Sequence, residues 1–170
     1  MAGGSGERVA SGYVEHSIAP VYNGASRVLV LGTMPSPASR ETGFYYGHPR
    51  NRFWPVLARV FDERLPQGAE ERRAFALRHG IALWDVLAGC SIRGAADATI
   101  SDPVPNDIGR ILATSPIECI YTTGSAAWDL YRRLCEPVVG MPAVKLPSTS
   151  PANASWSLER LVEAYRVLKG

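Results

Sequence analysis

The sequence predicts an α/β fold, a parallel sheet with helices on both faces. Short runs rich in Val, Ile and Leu alternate with segments whose apolar residues recur at helical spacing, the order that crossover-connected parallel strands require. Three of the short runs also end in polar loops bearing glycine or proline, "GTMPSPAS", "TTGSAA" and "LPSTSPANAS", and such a topology gathers those loops at one edge of the sheet. At 170 residues and 46% hydrophobic content the chain can bury one core of ordinary size, so one domain is expected.

The elements follow in order. The opening "MAGGSGERVASG" (1–12) has neither an apolar core nor a cleavage-like pattern and is expected to be a flexible tail ahead of a single domain over 13–170. "SRVLVLG" predicts a buried strand at about 27–31. The stretch after it, "TMPSPASRETGFYYGHPRN", has no period and reads as a long loop at the strand's carboxyl end, a place where loops are usually functional. "FWPVLARVFDE" and "AEERRAFALRHG" predict helices, the second closing on Gly80 after a basic last turn. "IALWDVL" predicts the second strand and "NDIGRILATS" a helix capped by Asn106 or Asp107. "IECIYTT" predicts the third strand, "GSAAWDLYRRLC" a helix, "AVKLPS" the fourth strand and "SWSLERLVEAYRVL" the last helix.

Composition narrows the function. No stretch approaches the roughly 20 apolar residues of a membrane span, nothing points to export, and a cytoplasmic protein is expected. Cys90, Cys119 and Cys135 are odd in number and lack a CxxC pair, which argues against a disulfide framework or a zinc site. His16, His48 and His79 show no ligand spacing, so no metal is expected. GxGxxG after a strand, GxxxxGK[ST] and GxSxG are absent, removing the best signals for dinucleotides, P-loop phosphates and nucleophile elbows. A triad from Ser148, His48 and Asp85 can be assembled only by selection from a common inventory. Asp85 and Asp97 have no sequence spacing that marks a carboxylate dyad.

What remains suits one flipped nucleotide. Phe44, Tyr45 and Tyr46 can stack on a base, a contact worth roughly 1–3 kcal/mol in single-stranded complexes. The hydroxyls and free amides of "PSTSPAN" can hold phosphates, and Arg50 and Arg52 can supply charge. As neighbours, Tyr45 and Tyr46 face different ways, so one of the two is expected to stack and the other to pack under the loop.

The strings "VLVLGTMPSPASRETGFYYGHPRNRFW", "GIALWDVL", "DPVPNDI" and "LPSTSPANA" together resemble the hypoxanthine-DNA glycosylases, the sixth family of the uracil-DNA glycosylase superfamily, from about Ile18 to the C-terminus. The resemblance implies a three-layer α/β/α fold with a four-stranded parallel sheet. It also implies excision of deaminated bases from DNA without a cofactor; a monomeric protein is expected. "GTMPS" stands at the superfamily's first motif, where Met34 replaces the Asp or Asn of uracil-specific families. A thioether cannot orient water, and the resemblance assigns that task to Asn51; His48, next to Pro49, is either a structural turn residue or a group for direct proton transfer. "LPSTSPAN" stands at the second motif, where Leu146 replaces the histidine of families one and four, leaving amides around Thr33 and Met34 to stabilise the leaving base. Pro35, Ser36, Ser148, Thr149, Ser150, Pro151 and Asn153 are implied DNA contacts, and Thr123 stands where relatives often carry a base-reading asparagine.

Simpler roles compete. Asn51 could cap the "RFWPVL" helix, and both roles can hold together. A non-catalytic reader of damaged or single-stranded bases, and a hydrolase of small nucleosides, are alternatives on the same fold.

Overall fold

The computed structural model describes residues 12–94 and 96–170. Its strands are β1 (Gly12–Glu15), β2 (Val28–Gly32), β3 (Ile81–Asp85), β4 (Leu87–Arg93), β5 (Ala96–Pro105), β6 (Cys119–Thr123) and β7 (Ala143–Leu146). The helices are α1 (Pro37–Thr42), α2 (Phe53–Val60), α3 (Gly68–Arg78), α4 (Gly109–Leu112), α5 (Ser125–Leu134), α6 (Glu136–Val139) and α7 (Leu158–Tyr165). A 3-10 turn, Arg166–Lys169, follows the last helix.

The predicted parallel sheet is present, with strand order β3-β2-β6-β7. β2 and β3 are buried along their whole length, as unbroken Val, Leu and Ile runs must be in a sheet covered on both sides. Helices flank it: α3 packs on β3, α5 on β6 and β7, and α2 on α7. The register sets Gly32 beside Asp85 and Thr123 beside Leu146, so these residues share the sheet's carboxyl edge.

Four local expectations give way. The aperiodic loop after β2 contains α1, which Ser36 caps by accepting from the Ser39 amide while Pro37 starts the first turn and Gly43, at φ 76°, ends the helix. "IALWDVL" is two strands, because the chain leaves the parallel sheet at Val86 and enters a second sheet at Leu87. That sheet, antiparallel with order β1-β4-β5, was hidden by an exposed β5 whose prolines read as loop. Asn106 is not a helix cap: its Nδ2 donates to the Asp85 and Leu87 carbonyls at 2.9 and 3.0 Å, satisfying both where the chain changes sheets. The expected tail over 1–12 lies outside the described residues up to position 11, and Gly12 opens β1.

Candidate active site

The carboxyl ends of β2, β3, β6 and β7 surround a cavity of about 350 Å³. Gly32, Thr33, Asp85 and Thr123 come from the strand ends, and the Ser148–Ala152 loop from beyond β7. Met34, Pro35, Ser36, Tyr45, Tyr46, His48 and Asn51 form the wall built by the aromatic loop, and the β4–β5 hairpin adds Ile92, Gly94 and Asp97. Three segments expected to meet at one edge therefore do meet, joined by a fourth from the second sheet.

The three aromatics of the loop divide their work. Phe44 is in the core, its ring against Trp54 and under Arg73, and does not line the cavity; its expected base-stacking role is withdrawn. Tyr45 packs under the loop, its buried hydroxyl within reach of the Ile18 and Ala19 carbonyls at 3.3 and 3.0 Å. Tyr46 reaches the cavity from a left-handed backbone conformation, φ 54°, with its ring 3.8 Å from that of Phe53 in a near-parallel stack. Gly47 permits this turn, since a Cβ there would stand 2.3 Å from the Thr42 hydroxyl. The Tyr46 hydroxyl lies 3.4 Å from Thr123 Oγ1. Burial, and secondarily the Asp85 carboxylate, push its pKa well above the ordinary phenol value, so it stays a neutral hydroxyl.

Asn51 is held from two sides. Its Oδ1 accepts from the Phe53 amide at 2.9 Å and from the Thr149 hydroxyl at 2.8 Å. The amide N–H can only donate, which fixes which end of the Asn51 side chain is oxygen. Asn51 is not the cap of α2: that position is Arg52, which has no side-chain cap bond, and Asn51 stands one residue before it and holds the first amide of the helix. With Oδ1 so engaged, Nδ2 is the end left to act in the cavity.

Several predicted DNA contacts are internal struts instead. Arg52 donates to the carbonyls of Ser150 at 2.9 Å, Asn153 at 3.0 Å and Trp156, and its amide donates to Thr149 O at 3.0 Å. Its charge is spent knotting the two loops, not facing solvent. Thr149 is buried against Asn51, and Asn153 Nδ2 donates to Ser148 O at 3.0 Å. Pro35 is buried and the Ser36 hydroxyl is used in capping α1. Ser148 and Ser150 accept from the Ser150 and Ala152 amides through their hydroxyls. Exposed Arg50, exposed Pro151 and half-buried Ser148 and Ser150 remain at the rim. His48 is exposed, and its Nδ1 accepts from the Arg50 amide at 3.0 Å.

The residues that sequence reasoning passed over are acidic. Asp85 is buried at the end of β3, and its Oδ2 accepts from His16 Nε2 at 2.7 Å. Asp97 enters from the exposed β5, its Oδ2 3.5 Å from the Thr33 hydroxyl, and partial desolvation of its carboxyl at the cavity, with the neighbouring Asp85 carboxylate adding to it, raises its pKa above 3.8. A signal existed for Asp85, which ends a predicted strand; Asp97 lies in the sheet that the sequence did not reveal, and His16 directly follows a strand of it. Two carboxylates on the cavity lining repel a phosphate and tolerate a neutral base. The cavity thus suits a base, with phosphates kept to the rim.

Comparison with known proteins agrees. Residues 19–169 match the family model described as the uracil DNA glycosylase superfamily. Over 146 residues the chain is 33% identical to a hypoxanthine DNA glycosylase of Methanosarcina acetivorans, covering 85% of this chain and 91% of that one. Over 98 residues it is 34% identical to a hypoxanthine DNA glycosylase of Methanosarcina barkeri, covering 57% and 62%. Among solved structures, the solution NMR structure of a uracil DNA glycosylase candidate from Methanosarcina acetivorans is similar with a TM-score of 0.76 and 27% identity, over 92% of this chain and 99% of that one.

Proposed function

Since the chain belongs to the uracil DNA glycosylase superfamily, we propose that it is a monofunctional DNA glycosylase. It hydrolyses the N-glycosidic bond of deaminated bases, hypoxanthine first and xanthine or uracil second, and leaves an abasic site for base excision repair. The observation that carries this is the doubly anchored Asn51 amide on the wall of a cavity large enough to admit a flipped base. The two relatives named as hypoxanthine DNA glycosylases support the order of bases.

Arg50 and the Ser148–Pro151 rim hold phosphates, and the flipped base enters the cavity beside Tyr46. The bond from the sugar C1′ to the base breaks first, its electron pair leaving with the base, and the amides of Thr33 and Met34 stabilise that charge. Asn51 Nδ2 donates to one lone pair of a water and leaves the other aimed at C1′. The water's oxygen bonds to C1′, one of its protons stays on the new hydroxyl, and the other reaches the base through solvent. Positioning replaces general-base catalysis here, which suits a cation that needs a placed nucleophile more than a strong one. Among the described residues no lysine lines the cavity, so the imine route to strand cleavage lacks its nucleophile there.

Labelled duplexes carrying hypoxanthine, xanthine or uracil test this directly. Alkali-dependent strand breaks at the lesion are expected, fastest for hypoxanthine. Tight binding without breaks at any base would make the protein a damage reader.

A further inference from the structure

Deamination changes one feature that hypoxanthine, xanthine and uracil share. A bare ring nitrogen beside an exocyclic amine in adenine or cytosine becomes an N–H beside a carbonyl in hypoxanthine or uracil. A pocket that separates hypoxanthine and uracil from adenine and cytosine needs an acceptor, and only an acceptor, where that N–H arrives. Thr123 cannot be it alone, because a hydroxyl can donate as well as accept.

Asp85 has the required character. Its side chain and that of His16 are 5% and 4% exposed, and Asp85 lines the cavity. Oδ2 is committed to His16 Nε2 at 2.7 Å, whereas Oδ1 receives no hydrogen bond from any described residue. Oδ1 lies against Gly32, where a Cβ would come within 2.5 Å of it, with the Tyr46 hydroxyl close by. Gly32 therefore leaves room for a carboxylate oxygen at the head of the cavity. The clamp comes from outside the parallel sheet: His16 directly follows β1, and its amide donates to Ala88 O at 2.7 Å.

We propose that the buried His16–Asp85 pair reads the deaminated edge of the base: Asp85 Oδ1 accepts the lactam N–H, and His16 is the positioning residue that fixes which oxygen is offered. This rests on the glycosylase reading for the entry of a base into the cavity. Adenine and cytosine present a lone pair to the same oxygen and are repelled. A site built around such a hydrogen bond rejects the analogue lacking the proton strongly, because its buried polar group is left unpaired. Guanine also carries the N–H, so its protection falls to the cost of extruding it from its pair.

The pairing makes Asp85→Asn informative. The His16 N–H still needs an acceptor, so the amide turns its oxygen to His16 and its NH2 to the cavity, reversing what the base meets. Binding is measured to duplexes whose 2′-fluoroarabino nucleotides hold the glycosidic bond intact, carrying hypoxanthine, adenine or unsubstituted purine. The intact protein should prefer hypoxanthine to both others by on the order of tenfold to a hundredfold. Asp85→Asn should lose or invert that preference, and His16→Ala should weaken it, with affinity for an abasic-site duplex unchanged in both. Equal binding of hypoxanthine and unsubstituted purine by the intact protein would overturn the proposal without any variant. An undiminished preference in a folded Asp85→Asn protein would do the same while leaving the glycosylase reading in place. If the intact protein cut no base yet showed the preference and lost it in Asp85→Asn, the edge reader would stand and the enzyme reading would fall.

Discussion

Thr149 and Asn51, 98 residues apart in the chain, meet in a hydrogen bond of 2.8 Å in which the Thr149 hydroxyl donates to Asn51 Oδ1. The loop that follows β7 thereby sets the orientation of the amide on the aromatic loop. Thr149→Val keeps the volume and removes the donor. Single-turnover excision should fall by about tenfold while DNA affinity holds, with a stability loss of about 1 kcal/mol seen in denaturant unfolding.

Arg50 and Arg52 separate two uses of the same side chain. Arg50→Ala should flatten the dependence of log affinity on log salt by about 0.9, the slope of one phosphate contact. Arg52→Ala should leave that slope alone and lower the unfolding midpoint, because three carbonyls lose a charged donor, each such bond being worth about 1.5–3 kcal/mol. Salt titrations of binding, paired with thermal unfolding, distinguish the two.

Phe44 and Tyr46 divide in the same manner. Phe44→Ala should cost about 3–5 kcal/mol of stability as a core truncation, with the selectivity among bases retained in the folded fraction. Tyr46→Ala should reduce excision of every base and narrow the differences among them. Urea unfolding and a panel of lesion duplexes supply both readings.

Asp97 gives a pH signature. Its pKa is raised in the folded state, so between 3.8 and that raised value the native protein binds more protons than the unfolded chain. Stability from this group is thus fully present at low pH and declines as pH rises through the folded pKa. Subtracting the Asp97→Asn unfolding midpoint from that of the intact protein, across pH 3 to 7, should give a difference that falls with pH. A difference that rose would show a carboxylate stabilised by the fold.

The parallel sheet was legible because its strands are continuous apolar runs and its helices keep their period, as in Val28–Gly32 and Ser125–Leu134. The cavity's outline was legible too, since strand-end loops such as "GTMPS" and "LPSTSPAN" had only one edge to occupy. What escaped was held by long-range pairing. Arg52 reads as a free cation until the Ser150, Asn153 and Trp156 carbonyls close on it. β5 is too exposed to show alternation, and without it neither Asp97 nor the sheet that carries His16 could be placed. Phe44 and Tyr46 look alike in sequence, and only the positive φ at Tyr46 sends one ring to the core and the other to the cavity.

The most direct measurement is the single-turnover rate of hypoxanthine excision from a labelled duplex by the intact protein and by Asn51→Ala, alongside the affinity of each for that duplex. Loss of the water-holding amide should cut the rate by on the order of a hundredfold or more, with affinity unchanged and about 1 kcal/mol of stability lost with the bond to the Phe53 amide. An equal rate in the two proteins would contradict the account, leaving Asn51 as a tie between the aromatic loop, α2 and Thr149 and placing the water-positioning group elsewhere in the cavity.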